Sequence, residues 1–195
     1  IFIATSWDWE DNEMIRNVFI IKMLCLAAFL AVLAMSPRAA LAEVWSTPVW
    51  LDEINTSDRD LEPWISADGK TLYFSSGDPA WGTSDINNLQ IWVSHLGEDG
   101  FWGEPEMLSE PLNDPNHRDG HPSLTLDGRY MFFHSSRPGG YGGTDSNDGL
   151  DIWMSENIDG EWQEPINMGA YINSSEIEKD PFISVDGQRL YYSRG

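Results

Sequence analysis

The chain has 195 residues, with 32 acidic against 11 basic, giving a formal net charge of −21. That balance excludes a nucleic-acid binder, whose affinity rests on Lys and Arg meeting phosphate, and docking on anionic lipid. Apolar residues make up 41% and there are ten Trp, which excludes a disordered chain, while a single Cys excludes an intramolecular disulfide framework.

In chain order, the first element is a short apolar run. Met23 to Met35 is uncharged, follows Arg16 and Lys22, and leads into Ala39, Ala40, Leu41 and Ala42. A basic start, a brief apolar stretch and a small-residue end predict a helical secretory signal peptide over 14–42, cut after Ala42. Thirteen apolar residues fall short of the roughly 20 a membrane span needs. Cys25 lies inside the run and not at the cleavage point, against a lipoprotein. Residues 1–13 are then expected to be upstream read-through. The absent initiator Met and the strand-like final run predict a piece of a longer protein. Residues 1–42 hold three basic and four acidic residues, so the exported part, 43–195, keeps a charge of −20 and has no Cys. The expected location is the periplasm or the exterior, with no membrane span in the mature chain.

From there an internal repeat organises the sequence. Pro63, Pro122 and Pro181 are 59 residues apart, and each opens a Pro-x-x-Ser/Thr-like run ending in Asp68-Gly69, Asp127-Gly128 or Asp186-Gly187. Each is followed by an aromatic run: Leu72 to Ser76, Tyr130 to Ser135, Leu190 to Ser193. Ile91-Trp92-Val93-Ser94 then matches Ile152-Trp153-Met154-Ser155, and Trp45, Trp102 and Trp162 each precede a Pro by three residues. The runs are four to seven residues long, alternate with period 2 and are bounded by turn formers. One copy therefore predicts four antiparallel strands, a to d, with Asp-Gly hairpins between a and b and between c and d. Pro105 and Pro165 cannot donate to a ladder and suit an outer edge.

A four-stranded meander repeated along a chain is the pattern of a β-propeller blade, whose faces only neighbouring blades can cover. The expected fold is all-β: a propeller of four-stranded antiparallel blades, about two and a half of them in this chain. The expected divisions are a leading d strand at 44–51, blades at 62–108 and 121–168, and a partial blade at 180–195. The recurrent Trp, Tyr and Phe should fill the spaces between blades.

The Pro-x-x-Ser-x-Asp-Gly strand, Leu72-Tyr73-Phe74-Ser75-Ser76, Arg137-Pro138-Gly139-Gly140 and Asp151-Ile152-Trp153 together resemble the WD-like repeat of TolB-type β-propellers. The stretch through Trp162, Pro165, Asn167, Gly169, Ile172, Asn173 and Glu176 resembles the exported version, sometimes linked to OmpA-type domains. The resemblance covers about 44–195. It implies a propeller that serves many roles, so function must be argued from the site.

Loop lengths separate two faces. The b–c and d–a connections are long and emerge on one side, next to the central channel, while the a–b and c–d turns are tight. On the long-loop face Arg118 and Arg137 are candidates for gripping a carboxylate. His121 and His134 are candidate ligands of a transition metal; His134 stands where Ser75 and Ser193 stand in the other copies. Asp145, Asn147, Asp148 and Asp151 offer hard oxygen donors to Ca²⁺, although Asp and Asn serve turn chemistry equally well. No cofactor is otherwise expected, and no catalytic residue is assigned. The leading expectation is a non-catalytic binding or scaffolding module for a protein or a cell-envelope glycan. Its alternatives are a secreted carbohydrate-active enzyme, such as the metal-dependent lyases whose propellers resemble this one, and the propeller of a larger hydrolase.

Overall fold

The computed structural model describes residues 2–5, 47–55, 59–77, 89–141 and 149–195; for residues 2–5 it describes the backbone alone. The chain divides into two units, Ile1–Ser6 with Trp50–Gly195, and Trp7–Val49. The expected signal peptide lies outside the described residues, as do Asp145, Asn147 and Asp148. Among the described residues there is no helix, and none long and apolar enough to cross a membrane.

The repeat folds as antiparallel meanders. The first sheet holds β2 (Asp60–Ile65), β3 (Thr71–Gly77), β4 (Leu89–His95) and β5 (Glu106–Met107) in sequence order, after β1 (Phe2–Thr5). The second holds β6 (Asp119–Leu124), β7 (Tyr130–Ser135), β8 (Asp151–Ile158) and β10 (Ile166–Asn167), with β9 (Glu161–Trp162) pairing the far end of β8. The third pairs β11 (Glu178–Ile183) with β12 (Arg189–Arg194), and β1 lies antiparallel on the outer side of β12. Phe2–Thr5, expected to lie upstream of the start, thus occupies the third-strand position of the third sheet. β12 presents an open edge there, and an open edge pairs with any strand-forming segment. The first strands β2, β6 and β11 lie side by side, so each sheet radiates from its first strand. This is the architecture of an incomplete all-β propeller.

The a–b turns explain the repeated Ser/Thr-x-Asp-Gly. Ser66, Thr125 and Ser184 each give their hydroxyl to the Asp two residues on, and that Asp accepts the backbone N–H of Lys70, Arg129 or Gln188. The Gly closes the turn at φ near +70° (71°, 71° and 70°), a region costly to a side chain. These hydroxyl and amide bonds hold the Asp68, Asp127 and Asp186 carboxyls below the usual carboxylate range.

Two details differ from expectation. The d strands do not run continuously from Trp to Pro: Trp102 makes one bridge to Leu96, β9 forms a short hairpin end, and only two residues after each Pro pair with the c strand. A prolyl nitrogen carries no hydrogen, so the ladder breaks there. Residues 47–51 of the expected leading strand are irregular. A strand exists through its partner, and no described strand pairs with them.

The core lies between sheets. Met131 and Phe133 of β7 face the first sheet, in a cluster with Ile91, Leu112, Leu124 and Trp153. Phe132, between them in sequence, faces the third sheet with Ile152, Ile172, Ile183, Leu190 and Tyr192. Period-2 alternation in a strand buried on both sides sends successive apolar side chains into different cores. The expectation that aromatics fill the spaces between blades is met by Phe133, Phe132, Trp153 and Tyr192.

Two asparagines pin the d–a connections. Asn113 accepts the Ile91 N–H at 2.9 Å and returns a bond to the Ile91 carbonyl at 2.9 Å. Asn173 does the same with Ile152, at 2.9 Å each way. A side-chain amide thus continues the ladder where the backbone has left the sheet.

Phe133 is fully buried and Val185 is 73% exposed. Phe133→Ala is expected to cost about 3–5 kcal/mol through the cavity it leaves, and Val185→Ala about 0.5 kcal/mol or less; urea denaturation of both variants measures the contrast.

Candidate functional site

Each innermost strand is interrupted at the same place. The register of β2 on β3 shifts between Leu61 and Trp64, of β6 on β7 between Gly120 and Ser123, and of β11 on β12 between Lys179 and Phe182. The residues at the three bulges are Glu62, His121 and Asp180, each just before the repeat proline, with φ of 58°, 56° and 56°. A non-glycine residue in this left-handed region costs about 1–2 kcal/mol. Paying that three times, at equivalent positions, identifies a feature that turns these side chains inward.

The three side chains meet. His121 Nδ1 lies 3.4 Å from Glu62 Oε1 and 3.3 Å from Asp180 Oδ1. Both are ion-pair distances, long for hydrogen bonds. Behind them, Ser75 gives its hydroxyl to Glu62 Oε2 at 2.8 Å and accepts the His121 N–H at 2.8 Å. His134, the Ser75 equivalent in the next sheet, accepts the Asp180 N–H at 3.5 Å through Nδ1. Its ring is fully buried, and Nε2 has no partner among the described residues. The His121 and His134 rings stand 6.2 Å apart. A Cβ on Gly120 would come within 3.0 Å of His134 Nε2 and 3.2 Å of Ser75 Oγ, so glycine keeps the floor of the site open.

The electrostatics follow from burial and charge. Burial alone would lower the His121 pKa, but Asp180 and Glu62 more than offset it and raise it to about 9. Burial would raise Glu62; the contact with His121, the charge His134 takes up at that acid pH and the charge of His121 bring it instead to about 2. Burial holds His134 down at about 3, against the pull of Glu62 and with the repulsion of Arg118 and His121. His121 is therefore an imidazolium between two carboxylates, and His134 is neutral. Arg118 lies in the same field: burial lowers its pKa while Glu62 and Asp180 raise it, and its Nε has no partner among the described residues.

The sequence candidates separate accordingly. Arg118, His121 and His134 come together here. Arg137 does not: its guanidinium donates to Asp119 at 2.7 Å, to the Pro111 and Leu112 carbonyls and to Ser135, and stacks over Phe133 and Trp153. It ties a d–a connection to the sheet. Arg194 repeats this role toward Glu178 in the third sheet, at 2.6 Å. Asp151 is buried and accepts from the Tyr141 N–H at 2.6 Å and the Asn167 amide at 2.8 Å. His117 pairs with Asp114 at 2.8 Å, in a d–a turn. Glu62 and Asp180 were not singled out by sequence reasoning. Their signal was the 59-residue spacing that places them, with His121, just before the repeat prolines.

The cluster sits near the start of the inner strands. The d–a connections arrive at that end, and the Asp-Gly turns lie at the other. Its groups suit a polar, charged ligand group, or an ion: His121, His134 and Asp180 each offer a donor atom, all within 4.8 Å of one another.

No family model and no curated protein matches this sequence. Among solved structures the chain is similar to TolB from Acinetobacter baumannii, with 17% identity and a TM-score of 0.41, over 67% of this chain and 25% of that one. The chain thus spans about a quarter of the length of that structure. The propeller architecture rests on the strand pairing described above.

The two histidines predict opposite pH effects in protein kept free of metal. His134 refuses a proton until about pH 3, whereas in the unfolded chain it takes one near 6.5. Stability therefore falls as pH drops below about 6.5, by at most about 1.4 kcal/mol per pH unit for this group. His121 is raised to about 9, so its contribution is complete below about 6.5 and lost as pH rises through 9. Urea midpoints across pH 4–9 are expected to show a flatter acid limb in His134→Ser and a flatter alkaline limb in His121→Gln.

Proposed function

We propose that the chain is part of an exported, non-catalytic propeller that binds a protein or a cell-envelope glycan on its long-loop face, with Glu62, His121, Asp180 and Arg118 at the centre of the contact. One observation carries the reading. All three repeats place a charged residue in a strained bulge at the same end of the inner strand, and those residues converge. Elsewhere the repeated polar residues serve the fold itself, as the Ser/Thr-x-Asp-Gly turns and the Asn113 and Asn173 bridges do.

Mixed charge suits such a role. Two carboxylates, an imidazolium and a guanidinium recognise hydroxyl-rich or charged groups by hydrogen bonding and oppose apolar ones, whose burial would strand these charges. Export is supported by the basic start, brief apolar run and small-residue end of residues 14–42. The net charge of −21 disfavours nucleic acid as the ligand.

The test compares the two ends of the strands, in chelator. Co-sedimentation with purified peptidoglycan sacculi probes the glycan, and cross-linking in envelope preparations probes a protein partner. Arg118→Ala and Glu62→Gln are expected to lower the retained fraction about tenfold, and Asp127→Asn in the opposite-end turn to leave it unchanged. A ligand lost with Asp127→Asn and kept by the inner-strand variants overturns the reading.

A further inference from the structure

We infer that His121, His134 and Asp180, with Glu62 beside His121, form a binding site for a divalent first-row transition ion, with zinc the best match. The inference shares its residues with the proposed ligand face but does not depend on a macromolecular ligand.

Geometry argues first. Four-coordinate zinc holds nitrogen and oxygen donors at about 2.0–2.2 Å, which sets neighbouring donors about 3.3–3.6 Å apart at tetrahedral angles. His121 Nδ1 stands 3.3 Å from Asp180 Oδ1 and 3.4 Å from Glu62 Oε1, so two edges of such a tetrahedron are already formed. Donor atoms of His121, His134 and Asp180 all lie within 4.8 Å, so the widest pair needs to close by about 1.5 Å at most. These same contacts are long for hydrogen bonds to an imidazole nitrogen, at 3.3 and 3.4 Å. An ion accepts donors from any direction that completes its shell.

His134 also carries an orphaned nitrogen. His134 is fully buried, and its Nε2 has no partner among the described residues. Its other nitrogen meets the Asp180 amide at 3.5 Å, the outer limit of a hydrogen bond, so the tautomer is weakly held. Buried polar atoms are nearly always satisfied, and one left bare on a ring 6.2 Å from a second imidazole marks a missing partner.

The donor set then selects the ion. Two imidazoles with one or two carboxylates suit zinc and its neighbours, whereas Ca²⁺ asks for six to eight oxygens. The side chains of His121 and Asp180 are 28% and 36% exposed, which leaves an entry path and room for a water or ligand atom on the ion.

Titration calorimetry of the full chain, stripped with chelator and titrated with zinc chloride, tests this. One zinc per chain is expected, with His134→Ser and Asp180→Asn each weakening it about 100-fold or more. His134→Ser installs the residue of the equivalent positions Ser75 and Ser193, and circular dichroism of each metal-free variant confirms its fold. Cobalt(II) is expected to give the intense visible bands of a tetrahedral nitrogen–oxygen site in the parent chain and not in the variants. Zinc binding unchanged in both variants, or abolished by His95→Ala with His117→Ala, overturns the inference. The ligand tests above are read in chelator, so failure of one reading leaves the other distinguishable.

Discussion

The middle sheet is apolar on both faces, and the rest of the structure depends on that. β7 shows it best: Met131 and Phe133 enter one core, and Phe132 enters another. A sheet with one wet face reads as alternating apolar and polar residues; β7 instead runs Met131, Phe132, Phe133 without a polar break, because both of its sides are covered by neighbours. Stacking around a common centre is the arrangement that covers both faces of every sheet with copies of the same unit. The repeat is therefore a requirement of burial, and the turn and bridge residues Asp127, Gly128, Asn113 and Asn173 serve it by fixing where each strand ends.

The same stacking brings the innermost strands close enough to exchange polar contacts. The His121 amide reaches Ser75 in the preceding sheet, the Asp180 amide reaches His134, and the Ile183 amide reaches Ser123. A bulge releases backbone amides from their own ladder, and the neighbouring sheet receives them. That exchange offsets part of the strain of a left-handed residue before proline. It also sets the height of one sheet against the next, so the bulge side chains meet at one level. The fold positions the charged cluster through backbone registry, with no long loop involved.

Much of the fold was legible in the sequence. Strand positions, Asp-Gly turns and interblade aromatics follow from period-2 runs and the 59-residue spacing, because these are local patterns. The d strands were read too long, since tryptophan spacing marks where the segment packs and not where it pairs. The site was half legible. His134 stood out by replacing a repeat serine, and His121 by its residue type. Glu62 and Asp180 belong to the same column, yet a charged residue before a proline looks like an ordinary surface position until the strand is known to bulge there. Arg137 illustrates the converse: a rare cation beside an acidic loop resembles a ligand clamp, and only its donations to Asp119 and two carbonyls show that it is structural.

The substitution at position 134 is the sharpest evidence that the centre of the sheets answers to more than stability. At the equivalent place in the first sheet, Ser75 satisfies both a bulge amide and the Glu62 carboxylate with one small hydroxyl. His134 satisfies only the amide, at a longer distance, and carries a second nitrogen into the interior unpaired. An unsatisfied buried polar atom costs about 1–3 kcal/mol, and the imidazole must also give up its charge there. Serine at 134 avoids both penalties within the same backbone. Histidine is therefore the worse residue for the fold, placed with its ring 6.2 Å from that of His121. A chain optimised for packing alone would have repeated the serine; the departure points to a ligand for that nitrogen.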